Sequence, residues 1–309
     1  MSKNVLVIGS INADYVIQTD RVPVMGETLT GKGFSVNFGG KGANQAVAIA
    51  KLGSTVKMLG AVGNDYMGEL CIKNLESFGI DCSAVLKTDL STGAAVITVC
   101  EGDNCIIVDE GANRAVTPEV ILENESLFEW ADVLVMQYEI PLESIPVAAR
   151  LAKAHGVYTI LNPAPAKKTD DSFYPDIDCV IPNEFEAKCI TGIYPADDES
   201  AASVIRNLQA KGFRRALVTL GKRGSAYSDG DGIKYFGVYP VKAVDSTAAG
   251  DSFIGGLCSK LCEGKTLDEA VAYASAVSAI VVSRPGASAS IPTTLEVEEF
   301  LRSHTAKKG

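Results

Sequence analysis

From Asp132 onward, short apolar runs alternate with helical stretches, and this rhythm restricts the fold more than any other feature of the sequence. Val133-Leu134-Val135-Met136, Val157-Tyr158-Thr159-Ile160, Cys179-Val180-Ile181 and Ala216-Leu217-Val218-Thr219 are apolar, aromatic or β-branched at successive residues, not at alternate ones. A strand of that kind must be covered on both faces, which is the situation of a parallel sheet packed between helices. Helical stretches are predicted at about 142–155 and 198–211, between these strands. Parallel neighbours need crossover connections of this sort, so the pattern specifies a three-layer α/β/α fold with a mostly parallel sheet. Val5 to Ile8, ending at Gly9, and Val56 to Val62 read as further strands. Ala43 to Leu52 and Tyr66 to Phe78 read as helices, and the last third carries two long Ala-rich helices at about 249–263 and 267–283.

Two early stretches break the rhythm. Residues 27–37 alternate loosely, as exposed antiparallel strands do, and 93–100 with 104–109 read as a hairpin across Glu101-Gly102-Asp103-Asn104. Together, about 12–37 and 93–110 are expected to form a small β sheet that stands off the core as a lid, suited to a reaction that must exclude water. The 309 residues are therefore read as one domain, 1–309, with a lid rather than two equal halves. The Lys-Lys-Gly end is read as a frayed tail.

Charge and composition narrow the chemistry. A formal net charge of -10 repels phosphate backbones and anionic lipid, so neither nucleic acid nor membrane is an expected partner. With no transmembrane-length apolar run and no leader-like start, the chain is expected to be cytoplasmic. Its eight cysteines are scattered without a C-x-x-C pair and are read as reduced, mostly buried thiols; Cys258 and Cys262 share a helix face but lack further metal ligands. The two histidines, His155 and His304, lie away from any nucleophile motif. Proton transfer is therefore expected to use a carboxylate.

Six segments carry the residues that could do chemistry. Ala243 to Phe253 holds small residues Ala248, Ala249 and Gly250 at a helix start, whose N–H groups and positive dipole end can hold a phosphoryl anion beside Asp251. Phe38 to Ala46 sets three glycines around Lys41, without the Lys-Ser/Thr of a Walker A loop, and adds Asn44 for hydroxyl recognition. Asn183 and Glu186 share a helix-start face and can organise water around Mg²⁺. Thr219-Leu220-Gly221-Lys222-Arg223-Gly224 follows a strand at the place where open α/β sheets bind nucleotides. Asn12 and Asp14 lie just past the first strand, where they can chelate vicinal hydroxyls, and Glu139 is another carboxylate at a strand end. Each has a plain alternative, such as a helix cap, an Asx turn, a surface turn or an exposed acid.

Taken in order, these blocks resemble a known family. Gly9 to Asp14, Gly26-Glu27-Thr28, Gly39 to Ala46, Asn162-Pro163-Ala164-Pro165-Ala166, Asn183-x-x-Glu186, Thr219-Leu220-Gly221 and Asp245 to Asp251 follow the order of the ribokinase-like (PfkB) carbohydrate kinases along essentially the whole chain. The resemblance implies an ATP-dependent sugar kinase with Asp251 as general base and Ala248, Ala249 and Gly250 as the anion hole. It implies a sugar held by Asn12, Asp14, Gly40, Lys41, Gly42, Ala43, Asn44, Glu139 and Asp251, with D-ribose the leading candidate. Other sugars, a nucleoside, or a catalytically silent sensor on the same fold are the alternatives. ATP is implied at Asn183, Glu186, Thr219 to Gly224, Gly250 and Ser275, with Mg²⁺ ordered by Asn183 and Glu186. A K⁺-type monovalent cation is implied at Asp245, Thr247, Val281, Arg284, Gly286 and Ser290, and a homodimer through the lid. The chain departs from the family pattern at Ser246, where Thr is usual, and at Ser275, where Asn or His is commoner; Ala248 stands where Gly is frequent, but many members share that Ala.

Overall fold

Successive residues of the central strands point to opposite faces, and both faces are apolar because both are covered. Val5, Val7, Val133 and Val135 pack into one core layer, while Leu6, Ile8, Leu134 and Met136 pack into the other. Burying one such side chain stabilises the fold by roughly 1.5–3 kcal/mol, so a one-residue slip of any of these strands exchanges its partners in both layers at once. The computed structural model describes residues 3–100, 103–228, 230 and 232–306; Glu101 and Gly102 of the hairpin turn and the Lys307-Lys308-Gly309 tail lie outside them.

The chain opens with β1 (Asn4–Ile8), leaves the core through β2 (Asn12–Gln18) and β3 (Lys32–Gly39), and returns by α1 (Lys41–Lys51) to β4 (Thr55–Gly63). Next come α2 (Tyr66–Ser77), β5 (Asp81–Thr88), β6 (Gly93–Cys100), β7 (Asp103–Asp109), α3 (Pro118–Glu123) and α4 (Ser126–Trp130). The regular alternation then runs through β8 (Val133–Gln137), α5 (Ser144–Ala154), β9 (Tyr158–Asn162), β10 (Cys179–Val180), α6 (Glu184–Thr191), α7 (Asp198–Ala210) and β11 (Arg215–Thr219). Two short strands, β12 (Ser225–Ser228) and β13 (Lys234–Phe236), precede α8 (Ala249–Cys262), α9 (Leu267–Val282) and α10 (Thr294–Ser303).

The main sheet runs β13-β12-β11-β10-β9-β8-β1-β4-β5, parallel from β11 through β5 and antiparallel at β12 and β13. Helices α1, α2, α8 and α9 cover one face, and α3, α4, α5 and α7 the other. All strands of the parallel block therefore end on one edge. The second sheet, β3-β2-β6-β7, is separate and pairs β2 with β6 in parallel. The strand expected over 27–37 starts only at Lys32, because Glu27 instead closes a turn with the Arg21 guanidinium and the Val24 N–H. All eight cysteines are free. No helix among the described residues is long and apolar enough to cross a membrane.

Candidate active site

The carboxyl ends of β1, β8, β9 and β11 meet the starts of α1 and α8, the crevice where open α/β sheets place their ligands. The backbones approach so closely that side chains are excluded. A Cβ on Gly42 would come within 2.6 Å of Ser10 N, and one on Gly40, whose φ is 88°, within 2.8 Å of Ser10 O. The N-terminus of α1 has no side-chain cap of its own, so its orphan N–H groups turn to the strand ends. Lys41 N donates to Glu139 Oε2 at 3.1 Å, Gly42 N to Ser10 Oγ at 3.3 Å and Ala43 N to Ser10 O at 2.9 Å. Ser10 Oγ donates to the same Glu139 oxygen at 2.5 Å, which leaves Oε1 directed elsewhere.

The start of α8 is organised in the opposite way. Its N-cap residue Ala248 sits in the left-handed region at φ 59° and supplies no side-chain cap. Of the anion hole expected at Ala248, Ala249 and Gly250, the Ala249 N–H already donates to Ser246 O at 3.2 Å, whereas the N–H groups of Gly250 and Asp251 have no partner among the described residues, and a Cβ on Gly250 would meet only open space. These free donors, at the positive end of a 14-residue helix, can hold a developing anion.

Asp251 is 8% exposed and held by two amides: Asn44 Nδ2 donates to Oδ2 at 3.2 Å, and Gln45 Nε2 to Oδ1 at 2.9 Å. Gln45 is the centre of a buried chain. Its Nε2 also donates to Asn162 Oδ1 at 3.1 Å, and its Oε1 accepts from Gln137 Nε2 at 2.7 Å. Asn162 Nδ2 donates to the Ile181 carbonyl at 2.9 Å, and because a carbonyl can only accept, that bond fixes every amide in the chain. Gln45 and Asn162 occur within the sequence blocks without a role assigned to them, and Gln137 went unnoticed. A polar pair inside the otherwise apolar, wholly buried run Gly42 to Ile49 was the available signal.

Asp14, on β2, faces the same crevice. Burial first, then the carboxylates of Glu139 and Asp251, push its pKa up to about 7. Burial alone would lower the Lys41 ammonium, but the pull of Asp251, Glu139 and Glu186 outweighs it and holds it above the usual lysine value. Asn12 Oδ1 accepts from Asn113 Nδ2 at 2.8 Å; Asn113 lies in a single 3₁₀ turn and had no recognisable signal in the sequence. A cavity of about 10 Å³, room for one water, lies between Asn12, Gly39, Ala43, Asn44, Cys71 and Ser288.

The other expected residues fall into two groups around this crevice. Asn183 and Glu186 form a reciprocal capping box at the start of α6, Asn183 N and Nδ2 donating to the two Glu186 oxygens at 2.8 and 2.9 Å; burial raises the Glu186 pKa. Thr219 to Gly224 form the turn after β11, in which Leu220 N donates to Gly224 O at 2.8 Å. Lys222 is exposed, whereas the Arg223 guanidinium is held by the Pro195 carbonyl and, at 4.0 Å, by Asp198. Ser275 is half-buried on α9, which packs along α8. Asp245 Oδ1 accepts from Thr247 N and Oγ1 at 2.8 and 2.6 Å, and its Oδ2 from Gly286 N at 3.0 Å, so both segments expected around a cation are joined. Val282 O accepts from Val244 N at 2.7 Å just beyond Val281, and Ser290 is buried with its hydroxyl on Ala287 O. Arg284 turns its guanidinium to Glu296 at 2.7 Å.

This architecture and these blocks match a family of carbohydrate kinases. The pfkB family carbohydrate kinase profile matches residues 2–294. A ribokinase of Haemophilus influenzae is 40% identical over 303 residues, 97% of this chain and 99% of that protein. A deoxyribokinase of Salmonella typhimurium is 35% identical over 301 residues, 96% of this chain and 98% of that protein. The structure of an Arabidopsis thaliana ribokinase complexed with ribose and ATP superposes with a TM-score of 0.92 at 31% identity, covering 98% of this chain and 99% of that one. With a family match spanning almost all of its length and relatives of this identity end to end, the chain belongs to the pfkB family of carbohydrate kinases.

Proposed function

We propose that this enzyme transfers the γ-phosphoryl group of ATP to the primary 5-hydroxyl of D-ribose, giving ribose 5-phosphate and ADP. The observation that carries the proposal is Asp251: a buried carboxylate fixed by two amide donors, in the same first helical turn as the free N–H groups of Gly250 and Asp251 that can receive phosphoryl charge. Asp251 takes the hydroxyl proton as the sugar oxygen bonds to the γ-phosphorus, and the bond from that phosphorus to the bridging oxygen of ADP breaks. The N–H groups of Gly250 and Asp251 stabilise the transferring group, and Lys41 supplies positive charge between Asp251, Glu139 and Glu186. Asn12, Asp14, Asn44 and the open Glu139 oxygen hold the other hydroxyls, with backbone at Gly40, Gly42 and Ala43 as the wall.

ATP lies along the Thr219 to Gly224 turn toward Gly250 and Ser275. Glu186, whose two oxygens are already engaged by Asn183, suits a contact to metal-bound water rather than direct ligation of Mg²⁺. Bound Mg²⁺ would neutralise phosphate charge. For a K⁺-type cation, the backbone carbonyls of Asp245, Thr247, Arg284 and Gly286 accept no hydrogen bond among the described residues and are free to ligate. The second sheet acts as the lid. Its Phe34, Val96, Ile106, Ile107 and Val108 are exposed, an apolar surface that a second copy would cover in a homodimer.

The deoxyribokinase relative keeps 2-deoxyribose as the specific rival acceptor. ADP release measured with ribose, deoxyribose, fructose and nucleosides, each with and without K⁺, decides between them. Ribose is expected to give the highest kcat/KM, and K⁺ to raise it. Asp251→Ala is expected to lose roughly 10²–10⁴-fold in kcat. Near-normal turnover by that variant overturns the role of Asp251, and a better acceptor than ribose overturns the substrate.

A further inference from the structure

Asn113 is 1% exposed and lies 101 residues from Asn12 in sequence, yet both ends of its amide are committed at Ile11 and Asn12. Its Oδ1 accepts from the Ile11 N–H at 2.9 Å, and a backbone N–H can only donate, so this end of the amide must be the oxygen. Its Nδ2 therefore faces Ile11 O at 3.4 Å and the Asn12 side chain at 2.8 Å. The Asn12 atom that receives this donor must be Oδ1. Asn12 Nδ2 is left on the other side, with no partner among the described residues.

We infer that Asn113 sets the hydrogen-bond polarity of the sugar pocket by holding Asn12 so that its amide nitrogen, not its oxygen, faces the substrate. The inference rests on Asn12 being a sugar contact, as in the function proposed above. Its consequence follows from counting donors. Asp14, two residues along the same face of β2, and Glu139 Oε1 are acceptors when ionised, and the Asn44 Oδ1 is buried without a partner. A hydroxyl carries one proton but two lone pairs. It can give its proton to one of these oxygens and accept from Asn12 at the same time. Were Asn12 turned over, another oxygen would compete for the same proton and the hydroxyl's lone pairs would lose their donor. Asn113 is thus a positioning residue that makes the pocket discriminate a hydroxyl from a hydrogen at the carbon Asn12 faces.

The third member of the device is Gly93, paired with Asn12 in the β2–β6 register. A Cβ there would overlap both Asn113 Nδ2 and Asn12 Oδ1, so glycine is required for the bond to form.

Two variants attack the bond independently. Asn113→Asp keeps the acceptor for Ile11 N–H but presents oxygen to Asn12, which must turn its NH₂ inward; Gly93→Ala pries the pair apart without adding charge. The first readout is water exchange of the Asn12 side-chain NH₂ by NMR, identified by its loss in Asn12→Asp. It is expected to be fast in the wild type and slowed in Asn113→Asp, whatever the enzyme phosphorylates; equal exchange in both proteins overturns the inference. The second readout is kcat/KM for ribose and for each singly deoxygenated ribose. The wild type should penalise one analogue by roughly 3–10-fold, the usual range for one neutral hydrogen bond. In either variant that penalty should shrink toward unity, with KM for ribose raised by a similar factor and KM for ATP unchanged. A general fold defect would instead disturb ATP and every analogue together, and a penalty that survives in both variants overturns the inference. Should the wild type turn over no pentose at all, the ribose proposal fails while the exchange comparison still decides the role of Asn113. If Asn113→Asp does not fold, Gly93→Ala carries the selectivity test alone.

Discussion

Replacing Gln45 by leucine removes the centre of the amide chain that holds Asp251 while keeping a side chain of similar size. Three groups lose a partner. Gln137 is fully buried and its Oε1 already lacks one, so losing Gln45 Oε1 leaves its whole amide unpaired, at about 1–3 kcal/mol. Asn162 keeps its bond to the Ile181 carbonyl but loses a donor to Oδ1, about 1 kcal/mol. Asp251 loses one of two charge-assisted bonds, about 1.5–3 kcal/mol. Apolar burial of the leucine offsets roughly 1.5–2 kcal/mol, for a net loss of about 2–5 kcal/mol. That is a large part of a typical stability of about 5–15 kcal/mol, and for a chain of 309 residues a drop in Tm of about 3–8 °C is expected. With Asp251 held by Asn44 alone, kcat should fall about 10–100-fold, since misplacement of a reacting group by about 1 Å is worth that much. KM for ATP should not move. Thermal melts and ADP release measure both quantities, and a Tm within about 1 °C of wild type with normal kcat would refute the amide chain.

Gln45→Glu separates hydrogen bonding from packing. A glutamate there must keep a proton to donate to Asp251, and burial beside a carboxylate raises its pKa. A folded pKa raised above the unfolded one gives stability that is present at low pH and lost as pH rises through the folded value. The variant should therefore melt near wild type at about pH 5 and well below it at about pH 8. A constant deficit across that range would point to packing alone.

Asp14, with its folded pKa raised from 3.8 to about 7, obeys the same sign: its proton stabilises the fold at low pH, and stability is lost as pH rises toward 7. Asp14→Asn should raise Tm at pH 8, by up to about 4 kcal/mol of stability, give no gain near pH 3.5, and raise KM for the sugar. Ile107, 70% exposed on β7, should be central to the proposed dimer, so Ile107→Arg is expected to elute as a monomer in size-exclusion chromatography with light scattering. Among the thiols, Cys105 is exposed, whereas burial pushes Cys71, Cys82 and Cys179 up to about 12. Native alkylation followed by peptide mapping should label Cys105 first and spare those three.

What could be read from the sequence follows from how locally each feature is determined. Strands β1, β8, β9 and β11 are covered on both faces, so their whole composition announces them. β5 is an edge strand with the mixed run Asp81 to Thr88, and β12 and β13 are short and polar; each owes its strand state to a neighbour rather than to its own residues, and none was legible. α10 did carry a signal that went unread, the Thr293–Glu296 capping box ahead of an amphipathic run. The same division holds in the site. Gly39 to Asn44 and Asp245 to Asp251 are contiguous because close backbone approach and a helix start are local demands, and such demands leave a motif. Gln137, Asn162 and Asn113 act on residues 92, 117 and 101 positions away, each through a single amide whose value depends on which end faces its partner. Orientation of that kind is fixed only where a backbone group of known polarity, the Ile181 carbonyl or the Ile11 N–H, anchors the chain. The residues proposed to touch the sugar and phosphate are therefore largely visible in local motifs, while those that decide whether each contact gives or accepts a proton emerge only from the folded arrangement.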